Sequence, residues 1–204
     1  MKMIGLAGAA GAGKDTLASW ILEHQTGRAF AFADPLRHAA SAIFGLTPHQ
    51  MQDRVAKEAV LSHWGKSPRE LLQLLGTEGV RDVFGGDTWV KRAQITVDQY
   101  LAQLSYEPFH PQVMIWTDVR FDEEAQWIKD NGGVVINIER VGVSPVGIAE
   151  HRSASGISEN LVDATFYNSG SLEDLRLNAL GDLPSWLALA GDLPQEQRFY
   201  KKSA

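Results

Sequence analysis

A chain of 204 residues with 44% hydrophobic content can bury one substantial core, and its length favours one domain over two. The formal net charge of −6 and a pI near 5.5 argue against a broad basic surface for a nucleic-acid backbone, so no nucleic-acid partner is expected. With no cysteine, disulfides, thiol nucleophiles and Cys-ligated zinc are excluded, and the six histidines form no i,i+4 pair that would suggest a zinc site.

The first six residues are too short for the apolar core of a signal peptide, and no apolar run approaches the roughly 20 residues that span a bilayer. A soluble, cytoplasmic protein without a membrane partner is the expectation.

Along the chain, strand and helix patterns alternate. Residues 3–7 read as a short buried strand, and 14–24 as a helix with Leu17, Ala18, Ile21 and Leu22 at helical spacing, stopped by Gly27. A second strand is predicted over 29–33. Asp34-Pro35 then opens a helix to about Phe44, with proline in its first turn, and Thr47-Pro48 reads as a cap followed by the first helical residue. Ser67-Pro68-Arg69-Glu70 is a stronger start, with Ser67 to cap, Pro68 at the first position and Glu70 to close a capping box. The helix behind it sends Leu71, Leu72, Leu74 and Leu75 to the core.

Asp87 or Thr88 can cap a long helix reaching toward Leu104, and 106–112 is a proline-punctuated loop. The most convincing interior strand is 113–116, followed by Thr117-Asp118-Val119-Arg120, a helix over 122–129, a stop at Asn131-Gly132-Gly133 and a strand over 134–138. Residues 141–160, rich in Gly and Ser, read as a loop or lid. A last strand is predicted over 164–167 and a helix over 172–180, while the tail with Pro184 and Pro194 gives no clear pattern. Such alternation implies a mostly parallel sheet covered on both faces, with ligands at the carboxyl ends of its strands.

Residues 8–16, Gly-Ala-Ala-Gly-Ala-Gly-Lys-Asp-Thr, carry the G-x-x-x-x-G-K pattern of a phosphate loop in Gly8, Gly13 and Lys14, between a strand and a helix. Glycines, here Gly11 as well, let the backbone N–H groups around Ala10 and Ala12 converge on phosphate oxygens. The helix N-terminus adds a favourable dipole, and the lysine reaches the phosphate being transferred. The Ser or Thr usual after the lysine is replaced by Asp15, which has no hydroxyl to offer a metal, so Thr16 is the expected magnesium support. A G-x-G-x-x-G dinucleotide reading fails on spacing.

Asp118 follows an apolar strand, where a carboxylate supporting magnesium would project; its alternative role is a helix cap. Arg120 beside it could neutralise charge on the transferred phosphoryl group, or form an ion pair with Asp118 or Asp122. Asp34 and Arg37 lie just beyond the second strand, and Arg37 could hold a second phosphate. Arg69, Gln73 and Thr77 recur every fourth residue along one helix face, which could line a nucleotide cleft or be plain solvated surface. Arg81 would lie about 18 Å from Arg69 on a straight α-helix, so the two could share a phosphate only if Gly76 or Gly79 broke the helix. Trp89 and Phe32 could stack on a base or belong to the core. His151 and Arg152 sit in the expected lid.

Taken together, Gly-Lys-Asp-Thr at 13–16, Phe-Ala-Asp-Pro-Leu-Arg at 32–37, Ser-Pro-Arg-Glu-Leu-Leu-Gln-Leu-Leu-Gly-Thr at 67–77, Asp-Val-Arg-Phe at 118–121, and Asp163 with Asn168-Ser169-Gly170-Ser171-Leu172 resemble the deoxynucleoside monophosphate kinases of tailed bacteriophages. The resemblance runs from residue 3 to about 180. It implies a single α/β, three-layer P-loop kinase domain with a mostly parallel central sheet. The core would be 1–46 and 107–180, with a helical acceptor-binding insertion at 47–106 and a short lid at 141–160.

It further implies ATP as donor, Mg2+, transfer of the γ-phosphoryl group to a deoxynucleoside 5′-monophosphate, and, for a phage-encoded chain, the host cytoplasm. Lys14, Arg120 and Arg37 would act in catalysis. Asp34, Arg37, Arg69, Gln73, Thr77, Arg81, Trp89 and Arg120 would surround the acceptor, Asn168 would lie near the donor base, and Thr16 and Asp118 would serve the metal. The compact His-Ser-Glu stretch frequent in such kinases is replaced by His151-Arg152-Ser153-Ala154-Ser155 and a delayed Glu159. A homodimer is compatible with the sequence. A kinase of another small phosphorylated metabolite, an NTPase switch and a non-catalytic nucleotide-binding protein remain as alternatives.

Overall fold

The computed structural model describes residues 1–104, 111–140 and 156–193. These residues form two compact units, one built from 1–31 and the described residues from 93 on, the other from 32–92.

The first unit is a five-stranded sheet with helices. Its strands are β1 (Lys2–Ala7), β2 (Gly27–Phe30), β3 (Val113–Val119), β4 (Val134–Arg140) and β5 (Ala164–Asn168). They pair in the order β2-β3-β1-β4-β5, every pair parallel. This is the expected α/β architecture. Central strands of a parallel sheet are covered on both faces and must be apolar throughout, as Met3–Ala7 and Val113–Trp116 are.

On one face, Ile4, Leu6, Val113, Ile115 and Ile136 pack with Leu17 and Ile21 of α1 (Lys14–His24) and with Leu175, Ala179, Leu183 and Trp186 of α8 (Leu172–Leu189). On the other, Trp116 meets Phe30 in a stack at 5.5 Å and, edge-on at 5.2 Å, Trp127 of α7 (Asp122–Asp130). The indole N–H of Trp127 donates to Gln94 Oε1 of α6 (Thr88–Leu104), whose Tyr100 packs edge-on against Phe30. The sheet is thus the middle of three layers.

The second unit holds α2 (Asp34–Phe44), α3 (Pro48–Gln52), α4 (Pro68–Gln73), α5 (Asp82–Phe84) and the first residues of α6. Its core joins Ala40, Leu46, Met51, Leu71 and Leu72, with Leu36, Phe44, Leu61 and Leu75 at the margin. Both expected caps are present as full capping boxes, Thr47 with Gln50 and Ser67 with Glu70. Each satisfies two backbone N–H groups that a bare helix start would leave unpaired.

Several boundaries differ from expectation. The second strand begins at Gly27 and ends at Phe30, because Gly27 pairs with Val113; a Cβ there would come 2.2 Å from the Val113 carbonyl oxygen, so only glycine fits. The third strand runs on to Val119, which places Asp118 inside it and removes its alternative role as a helix cap. The helix starting at Pro68 does not stay α-helical: Leu74–Arg81 is a π-helix. The last helix continues through Pro184 to Leu189. Burial of Leu183 and Trp186, the latter edge-on to Phe166 at 5.6 Å, outweighs the hydrogen bond that proline cannot donate.

Residues 141–155 of the expected lid, with His151 and Arg152, the loop at 105–110 and the tail from 194 lie outside the described residues. Glu159 starts a short 3₁₀ turn, Glu159–Leu161. Among the described residues, no helix is long and apolar enough to cross a membrane.

Candidate active site

The phosphate loop occupies the turn between β1 and α1, at the carboxyl edge of the sheet. Gly8, Gly11 and Gly13 all take positive φ, 124°, 82° and 109°. Gly8 is the most constrained, since a Cβ would meet the Ile138 carbonyl oxygen at 2.3 Å. Gly13 is the N-cap of α1, and no side chain caps that helix, so its first-turn N–H groups remain available to an anion.

Two side chains from the neighbouring strand ends brace the loop. Asn168, at the end of β5 and buried, donates from Nδ2 to the Ala12 carbonyl at 2.8 Å, and Arg140, opposite it at the end of β4, donates from Nη1 to the Gly11 carbonyl at 3.3 Å. Asn168 therefore ties the end of β5 to the loop backbone.

Lys14 donates its ammonium protons to the carbonyls of Gly8, at 2.6 Å, and Ala9, at 2.8 Å. Burial, and then the positive charge of Arg120, pull it down from the usual 10.5 to about 8, with Asp15 and Asp118 opposing. A cation held in this way, beside a second cation, gains strongly from an arriving phosphate.

Asp118 is 6% exposed, near the end of β3, one residue before Val119, which pairs with Ala7 at the mouth of the loop. Arg120 and Phe121 form the two-residue link to α7, and Glu124, 4% exposed, reaches back to them. Its Oε2 accepts from the backbone N–H of Arg120 at 2.8 Å and of Phe121 at 3.2 Å. Burial and the charge of Asp118 push the Glu124 carboxyl up to about 8, against the pull of those donors and of Arg120. Asp122, the other acid named as a partner for Arg120, is engaged elsewhere, accepting from Ser158 N–H at 2.7 Å and Oγ–H at 2.6 Å.

In the second unit, Asp34 and Arg37 pair with each other at 2.6 Å in the first turn of α2. Arg69 is ion-paired through Nε to Glu58, and its backbone N–H donates to the Lys57 carbonyl. Gln73 is half-buried at the end of α4. Thr77 and Arg81 are buried within the π-helix, and Arg81 donates from Nε to the Gly86 carbonyl at 3.1 Å. Trp89 donates its indole N–H to the Gly76 carbonyl at 3.1 Å, against the π-helix beside Thr77. The even i,i+4 stripe expected of Arg69, Gln73, Thr77 and Arg81 is broken at Leu74, where the turn widens.

Residues 49–178 match the family described as deoxynucleotide monophosphate kinase, which is well over half of the chain. The chain belongs to that family. Among its relatives, an Acanthamoeba polyphaga mimivirus protein carrying the name of a deoxynucleotide monophosphate kinase is 34% identical over 151 residues, 71% of this chain and 77% of its own. The deoxynucleoside-5′-monophosphate kinase of Escherichia phage T5 is 25% identical, over 81% of this chain and 89% of its own. Among solved structures, TT1252 from Thermus thermophilus is similar at 20% identity, with 93% of this chain and 98% of that one covered and a TM-score of 0.48.

Two residues around the phosphate loop of this kinase escaped the sequence reading. Arg140 lies in a strand end that the pattern cut short at 138, and a basic residue there was its only signal. Glu124 stands in the acidic run Asp122-Glu123-Glu124, which reads as a solvated helix start. Its signal was position, three residues after the last residue before the helix, where a carboxylate can turn back to cap.

Proposed function

We propose that this kinase transfers the γ-phosphoryl group of ATP to a deoxynucleoside 5′-monophosphate, giving ADP and the deoxynucleoside diphosphate. One observation carries the reading: a glycine-built phosphate loop whose lysine is partly buried and feels the charges of Arg120 and Asp118, in a chain of the deoxynucleotide monophosphate kinase family.

Phosphoryl transfer through a loose transition state needs little covalent help and depends on positioning and charge neutralisation. The uncapped start of α1 and the loop N–H groups, around Gly8, Ala10, Gly11, Ala12 and Gly13, would hold the donor phosphates. Lys14 would leave the carbonyls of Gly8 and Ala9 for a phosphate oxygen, and Arg120 would share the charge that builds on the transferred group.

Thr16 and Asp118 would hold a magnesium ion, which keeps several waters and takes only one or two protein oxygens along with substrate phosphates. When bound, the ion would neutralise phosphate charge. Arg37, Arg69 and Arg81 would serve the acceptor phosphate, with Asp34, Gln73, Thr77 and Trp89 around its nucleoside.

The test is ADP release in a coupled assay with Mg-ATP and a panel of deoxynucleoside monophosphates, run beside ribonucleoside monophosphates and phosphorylated sugars. ADP formation that requires a deoxynucleoside monophosphate is expected. Equal ADP release with no acceptor would show a hydrolase, and turnover only with a sugar phosphate would show a kinase of another metabolite.

A further inference from the structure

The link between β3 and α7 is two residues long, Arg120 and Phe121, and a single oxygen takes both of its N–H groups: Oε2 of Glu124. In return the Glu124 N–H donates to the Phe121 carbonyl at 3.1 Å. Phe121 stands at the N-cap of α7 and has no side-chain acceptor, so the cap comes from Glu124, inside the helix.

Capping alone does not explain the arrangement. A Ser, Thr or Asp at 121 would satisfy first-turn N–H groups without burying a carboxylate, as Thr47 and Ser171 do from exposed positions and Ser67 from a buried one. Glu124 is instead 4% exposed, and burying a carboxylate is costly unless its hydrogen bonds return the expense. What sets this cap apart is its target. The N–H it fixes first belongs to Arg120, whose charge reaches both Lys14 and Glu124 itself.

We infer that Glu124 is a positioning residue for phosphoryl transfer: through two backbone hydrogen bonds it fixes the Arg120-Phe121 link, and so the direction in which Arg120 leaves the end of β3. Glu124 touches neither substrate nor reacting atoms in this role. The inference rests on the proposed transfer reaction, because it is the placing of Arg120 that the reaction uses.

The test compares Glu124→Gln with Glu124→Met in the full chain. Glutamine keeps the side-chain length and the acceptor oxygen; methionine keeps the length and loses a comparable acceptor. Gln50→Ala, which removes the reciprocal bond of the α3 capping box, is the control for loss of a capping-box bond as such. The expected result is a kcat lower by roughly tenfold to a hundredfold in Glu124→Met, the scale of a misplaced catalytic group, with KM for ATP little changed. Most of that loss returns in Glu124→Gln, and Gln50→Ala keeps the kcat of the parent.

Amide hydrogen exchange gives a second readout that needs no turnover: the Arg120 and Phe121 amides should exchange faster in Glu124→Met and stay protected in Glu124→Gln. An unchanged kcat in Glu124→Met, no recovery in Glu124→Gln, or equal losses in Glu124→Met and Gln50→Ala would each overturn the inference. Should Glu124→Met not fold, rapid exchange of the same two amides in the parent protein would overturn it. An absence of transfer in the parent would sink the proposed reaction instead, and the exchange comparison would still decide whether Glu124 holds the link.

Discussion

The phosphate loop and the segment from Ser67 to Arg81 were both expected to grip phosphate, yet they are built in different ways. The loop works through backbone: three left-handed glycines, an uncapped helix start, and braces from Asn168 and Arg140 on its carbonyls. The 67–81 segment, proposed to hold the acceptor, would work through side chains on a helix that changes from α to π midway, with Arg69 paired to Glu58 and Arg81 buried against the Gly86 carbonyl. A backbone site tolerates few substitutions and takes any phosphate. A side-chain site can be tuned residue by residue, which suits the partner whose identity must be recognised.

That contrast can be broken most directly at Lys14, the side chain of the loop proposed to meet the transferred phosphate. Lys14→Ala should lower kcat on the order of 10²–10³-fold or more, as removal of a single charge-stabilising donor does, while thermal unfolding changes little. A loss below tenfold in steady-state kinetics would mean that the loop N–H groups and Arg120 suffice without it.

Next in size is the backbone itself. Gly8→Ala places a Cβ 2.3 Å from a carbonyl oxygen at a φ of 124°, so about 1–3 kcal/mol of strain is expected, read as a lower Tm together with weaker ATP binding. Gly79→Ala in the π-helix, whose nearest contact would be the Leu74 carbonyl oxygen at 3.3 Å with no unusual φ, should cost less and leave ATP binding alone. Equal effects on ATP binding would contradict the division.

On the side-chain segment, Arg69→Ala should raise KM for the acceptor by roughly tenfold, the scale of one charge-assisted hydrogen bond, with KM for ATP unchanged. A shift in the ATP constant alone would assign Arg69 to the donor.

The smallest effect is on pH. Without ligand, Lys14 loses its proton near 8, below its usual 10.5, and phosphate favours the charged form, so its value must rise on binding. ATP affinity is therefore fully present below pH 8 and falls as pH rises above it, with a proton taken up on binding. Calorimetry at pH 8.5 in buffers of different ionisation enthalpy measures that proton. Equal apparent enthalpies in all buffers would rule it out.

The same contrast explains what could be read in the sequence. Gly8, Gly13 and Lys14 are legible because a backbone site is specified by spacing, and the two capping boxes because a cap is a local contract between residues three apart. The parallel sheet was legible from alternation and from the apolar runs of β1 and β3. The π-turn after Gln73 was not, since its side-chain pattern passes for an α-helix and only the Gly76 carbonyl, taken by Trp89, marks the departure. Glu124 hid in an acidic run because nothing in the residue type separates a buried carboxylate from two solvated neighbours. The far half of the last helix, beyond the predicted 172–180, hid behind Pro184, which local propensity reads as a stop and tertiary burial of Trp186 overrides.

The central claim is that the phosphate loop delivers a phosphoryl group to a nucleotide and not to water. Incubation with ATP labelled at the γ-phosphate, with and without a deoxynucleoside monophosphate, tests this by following the label. The account predicts that label appears on the β-phosphate of the deoxynucleoside diphosphate, with almost none released as inorganic phosphate. Label accumulating as inorganic phosphate at the same rate with or without the acceptor would contradict it.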